Sequence, residues 1–127
     1  MDALGYLCKK IAVALEKGGD LHICGIDEAR FKAEAPSEVK HLQNALAKNT
    51  TVHILNNQSL SEGLVFENLK KKVVADNIPL PPVFVYRNRT AFVLFQNPIH
   101  VTIIYNEPLA EIYRAQIEYI WNKEKSL

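Results

Sequence analysis

What this chain lacks already narrows what it can be. No stretch approaches the roughly 20 consecutive apolar residues that span a bilayer. The N-terminus, MDALGYLCKK, has no basic segment followed by an apolar one, so a cytoplasmic protein without a membrane partner is expected. Net charge is nearly absent: 15 Lys and Arg against 14 Asp and Glu leave +1 at pH 7, too little to collect nucleic acid or anionic lipid at long range. There are only two cysteines. Cys8 falls in an apolar helical stripe and Cys24 inside an apolar strand, which reads as two buried thiols rather than a disulfide framework. Gly5, Gly18, Gly19, Gly25 and Gly63 never fall into GxGxxG or GxxxxGK[ST], so the backbone cradle for nucleotide phosphates is missing. GxSxG, HExxH and CxxC are missing too, which removes the common serine hydrolase, zinc protease and thiol redox signatures. No cofactor is called for.

What is present suffices for one domain over residues 1–127, since a chain of this length buries about two-thirds of its unfolded surface. Leu4, Leu7, Cys8, Ile11 and Leu15 repeat at helical spacing over 3–17, and Gly18-Gly19 stops that helix. LHICGI (21–26) reads as a buried strand. Pro36 and Ser37 open a second helix with Val39, Leu42, Ala45 and Leu46 inward, followed by the strand TVHIL (51–55). Ser59 or Ser61 then caps an expected third helix with Val65, Phe66, Leu69 and Val73 inward and Lys70, Lys71 and Lys72 in solvent. DNIPLPP (76–82) is a proline-rich crossover. VFVYR (83–87), TAFVLF (90–95) and HVTIIY (100–105) follow with turns so short that only antiparallel hairpins fit. Glu107-Pro108 opens the last helix, with Leu109, Ile112, Tyr113, Ile117, Ile120 and Trp121 at steps of three and four. The expectation is an α/β fold: a mixed five-stranded sheet, two parallel strands plus an antiparallel meander, covered by four helices.

Ligands of open α/β sheets bind beyond the carboxyl ends of the parallel strands. Those ends carry Asp27, Glu28 and Arg30 after the first strand and Asn56 and Asn57 after the second, groups able to hydrogen-bond a small polar molecule such as a sugar. The plain alternative is that Asp27 and Asn57 only cap helices and turns. His22 and His53 occupy equivalent positions early in the two parallel strands, so they could be neighbours; two imidazoles could share a proton or a metal, or could simply be sheet residues satisfied by water or backbone. Arg87 and Arg89 flank a hairpin tip, where exposed cations serve solubility.

The order of elements, with LHICGID, AKNTTVHILNN (47–57), VFVYRNRTAFVLF (83–95) and above all EPLAEIYRAQIEYIW (107–121), resembles the phospholipase D-like effector domain of TrmB-type prokaryotic transcriptional regulators. Active phospholipase D-like enzymes carry HxKxxxxD, whereas the residues two after the histidines here are Cys24, Gln43, Leu55 and Thr102. The resemblance therefore implies a noncatalytic regulatory domain. Such a domain would sense a small polar ligand and act on transcription through an attached or partner DNA-binding unit, as a homodimer with no DNA contact of its own. A ligand-free protein-interaction or dimerisation domain is the alternative.

Overall fold

The computed structural model describes residues 2–46, 49–57 and 63–125. In chain order the elements are α1 (Ala3–Ala14), β1 (Gly19–Cys24), α2 (Glu28–Glu34), α3 (Pro36–Ala45), β2 (Thr50–Asn56), β3 (Leu69–Val73), β4 (Val83–Tyr86), β5 (Arg89–Leu94), β6 (His100–Tyr105) and α4 (Glu107–Lys123). The six strands form one sheet in the order β3-β2-β1-β4-β5-β6. The β3, β2 and β1 strands run parallel, and β4 to β6 extend the sheet as an antiparallel meander.

Alternation along the strands divides the core between the two faces. Leu21, Ile23, Val52, Ile54, Phe84 and Ala91 face the layer built on α1, with Leu4, Leu7, Ile11, Phe31, Val39 and Leu42 packed against them. Cys24, Leu55, Val83 and Val85 face α4 and meet its Ala110 and Ile117. The helices start where the chemistry predicts: Asp2 Oδ1 accepts from Gly5 N at 2.7 Å, and Asn106 Oδ1 accepts from Leu109 N at 2.8 Å. Glycine is required after β1, where Gly25 has φ +61 and a Cβ would lie 2.8 Å from the Pro81 carbonyl oxygen.

The sheet has six strands rather than five, because Leu69–Val73 is a strand and not the end of a third helix. The helical spacing of Val65, Phe66, Leu69 and Val73 is outweighed by pairing, since β3 satisfies the otherwise bare edge of β2 from Val52 to Asn56. The serines expected to cap that helix, Ser59 and Ser61, lie outside the described residues. Strand alternation also separates the three lysines: Lys71 Nζ donates to Glu28 Oε1 at 2.8 Å, Lys72 Nζ donates to the Trp121 carbonyl, and Lys70 is exposed beside His53. The fourth helix is instead α2, seven residues capped by Asp27 and holding one buried apolar side chain, Phe31. Ile112, expected inward, is 61% exposed. Arg87 is structural as well as exposed: its guanidinium donates to the Ala14 and Gly18 carbonyls at 3.2 and 2.6 Å and ties down the end of α1. Arg89 lies over the rings of Tyr86 and Tyr105. No helix among the described residues is long and apolar enough to cross a membrane.

Candidate functional site

Among the described residues, the candidate polar groups gather at two places. The first is the end of the parallel strands. There Asp27, Asn56 and Asn57 line an open pocket of about 190 Å³ with Gly25 and Ile26. Asp27 Oδ1 accepts from Arg30 N at 3.1 Å, capping α2. Asn56, 4% exposed, donates through Nδ2 to the Ile26 carbonyl at 2.7 Å and to Glu28 Oε2 at 2.9 Å, and its Oδ1 accepts from Asn57 N at 2.9 Å. Asn57 Nδ2 donates to the carbonyls of Ala75 and Ile78 at 2.8 and 3.1 Å. Glu28 lies beneath, wholly buried; its Oε1 accepts from Lys71 Nζ and from Leu64 N, both at 2.8 Å. Arg30 points away from this pocket. Its guanidinium reaches the Phe95 and Gln96 carbonyls and Asn97 Oδ1 at 3.1, 2.7 and 2.8 Å, pinning the loop before β6. The fold thus brings four of the five expected residues together, and it engages their polar groups with one another and with the backbone.

The second place is the centre of the sheet on its α4 face. Register places Lys70 of β3, His53 of β2 and His22 of β1 in one row across three parallel strands. The helix α4 roofs this row with Ile117, Glu118, Trp121 and Asn122, leaving a cavity of about 240 Å³. The two imidazoles stack with centroids 4.5 Å apart and planes 5° from parallel. Trp121 meets His53 edge-on at 6.3 Å. Carboxylates stand at the rim: Glu118 Oε1 is 3.9 Å from His22 Nε2, and Asp20 Oδ2 is 3.9 Å from His53 Nε2.

Electrostatics keep this pair neutral at pH 7. Burial, then the neighbouring His53, pushes His22 down to about 4, against a smaller upward pull from Asp20. Burial also lowers His53, opposed by Asp20. His22 is 3% exposed, and its buried Nδ1 has no hydrogen-bond partner among the described residues, an uncommon and costly state for a buried polar atom. A metal bound through an imidazole lies in the plane of that ring, so two parallel rings 4.5 Å apart do not converge on one ion. The cavity instead offers neutral donors and acceptors from His22, His53 and Asn122, one cation, Lys70, one carboxylate, Glu118, and the flank of an indole. That set suits a small polar molecule better than a strongly charged one. Asp27 lies in the strand-end pocket and does not line this cavity. The two thiols are inert by position, since burial raises Cys8 and Cys24 to about 12.

The neighbouring histidines were legible in the sequence. Their roof was not, because nothing local in α4 shows which strands it crosses. Lys70 escapes notice in the sequence because the spacing around it fits a helix, whereas it lies on β3.

Compared with solved structures, the whole of this chain superposes on 53% of TrmBL2, described as an archaeal chromatin protein whose structure shows a novel mode of DNA binding, with a TM-score of 0.57. This chain shares the fold of about half of TrmBL2. At 11% identity the likeness to TrmBL2 is one of fold, and site residues are not carried across on it. No protein-family model and no curated protein matches the sequence.

Proposed function

We propose that this chain is a noncatalytic regulatory domain acting in transcription, which holds a small polar molecule in the cavity over His22 and His53 and passes its occupancy to a DNA-binding unit in the same or a partner chain. This reading is supported by the stacked imidazole pair, in which the buried His22 nitrogen has no hydrogen-bond partner among the described residues and lies beside a polar cavity. A purely structural core position would favour an apolar side chain there, as Leu55 and Cys24 provide one step further along the same strands. The likeness to about half of a DNA-binding chromatin protein supports the regulatory setting. The near-zero net charge supports assigning the DNA contact elsewhere.

A second reading places the ligand in the strand-end pocket with Asp27, Glu28, Asn56 and Asn57. It is favoured by the position of that pocket at the carboxyl ends of parallel strands.

Fluorescence anisotropy of labelled duplex DNA tests the division of labour. The chain alone is expected to leave the anisotropy unchanged at both low and moderate salt. Binding whose affinity falls steeply as salt rises would move the DNA interface onto this chain.

A further inference from the structure

We infer that β6 is an interface through which two copies of this chain join their sheets edge to edge. The sheet has two edges, and they are built differently. The β3 edge, LKKKV, carries the exposed Lys70 beside the half-buried Lys71 and Lys72, and a lysine on an edge opposes pairing with another chain. The β6 edge, HVTIIY, has no Lys, Arg, Asp, Glu or Pro, and its register with β5 runs unbroken from Leu94↔His100 to Arg89↔Tyr105. It therefore lacks the bulges and charges that ordinarily protect an edge.

Hydrogen-bond alternation shows which groups that edge offers. Asn106 N donates to the Asn88 carbonyl at 2.9 Å, continuing the β5–β6 register by one hydrogen-bonded pair. Counting back by twos, His100, Thr102 and Ile104 bond inward to β5, while Val101, Ile103 and Tyr105 direct their N–H and C=O groups outward. An antiparallel second copy centred on Ile103 sets Ile103 against Ile103 and Val101 against Tyr105, so every outward group of the strand finds a partner.

The side chains agree with that register. Val101, Ile103 and Tyr105 line a groove of about 420 Å³ with Asp2, Ala3 and Tyr6 of the α1 end. Pairing lays the two grooves side by side and covers Tyr6 and Tyr105, which are 51% and 54% exposed. Antiparallel sense brings the Asp2 end of one groove beside the Tyr105 end of the other, where Arg89 lies over the tyrosine ring. On the opposite face Thr102 meets Ile104. No like charges oppose one another along the strand, and the occupant that fits this edge is a second copy of it.

Sedimentation equilibrium on the full chain is the test. Wild type is expected at twice the 14.4 kDa chain mass. Thr102→Lys with Ile104→Lys changes two exposed side chains and sets lysine opposite lysine, so that variant should be monomeric with an unchanged circular dichroism spectrum. The corresponding double glutamate variant should also be monomeric, and mixing the two should restore the dimer. A monomeric wild type, a double lysine variant that dimerises as wild type does, or two folded variants that fail to pair when mixed would each overturn the assignment.

Discussion

Replacing Glu28 with alanine should lower the stability of the fold by about 3–5 kcal/mol, as expected when one partner of a buried ion pair is removed. The carboxylate is wholly buried and accepts from Lys71 Nζ, Leu64 N and Asn56 Nδ2. Its removal leaves a half-buried ammonium, a buried backbone N–H and a buried amide each short of a partner. Glu28→Gln keeps an oxygen for Leu64 N but sets an amide against Lys71, so its cost should fall between that of alanine and zero. Urea unfolding followed by circular dichroism measures both. A loss under about 1 kcal/mol for Glu28→Ala would mean that the carboxylate is not the tie between α2, β2 and β3 that this geometry makes it.

The second large effect is on acid stability. In the folded chain His22 titrates at about 4 rather than 6.5, chiefly through burial and secondarily through His53. Above pH 6.5 the ring is neutral in both folded and unfolded chains, and its full contribution is present. Between 6.5 and 4 the unfolded chain takes up a proton that the folded chain refuses, so stability is lost as pH falls and levels off below 4. The loss from this one group is about 3 kcal/mol. Carboxylates titrate in part of the same window, so the quantity to read is the stability of wild type relative to His22→Asn, which should fall steadily from pH 7 to pH 4. Parallel stability curves for the two proteins would show that the ring is not held neutral by the fold.

Much of the architecture was legible because it is local. The meander announces itself through three short β-branched strands with tight turns, and α4 through steps of three and four from Leu109 to Trp121. The two elements that escaped are decided by tertiary partners. Leu69–Val73 has a helical spacing and becomes a strand because β2 needs a neighbour, while α2 is too short, with Phe31 as its one buried apolar residue, to show any period. The same displacement hid part of the site chemistry. With the lysines read on a helix face, Lys71 could not be matched to Glu28, and Glu28 looked free for a ligand. Equivalent positions in parallel strands did foretell the contact of His22 with His53, because the register Gly19↔Thr50 carries both strands forward in step.

Trp121 is the single tryptophan of the chain and lies on the cavity wall against His53, so its fluorescence reports directly on occupancy. The decisive measurement is a titration of the intact chain with sugars, nucleosides and other small polar metabolites, repeated on His53→Ala and on Asn57→Ala. A saturable change in Trp121 emission is expected for one class of compound, lost in His53→Ala and retained in Asn57→Ala. A compound that binds with the reverse pattern would place the ligand at the strand ends, and binding untouched by His53→Ala would contradict the cavity as the sensing site.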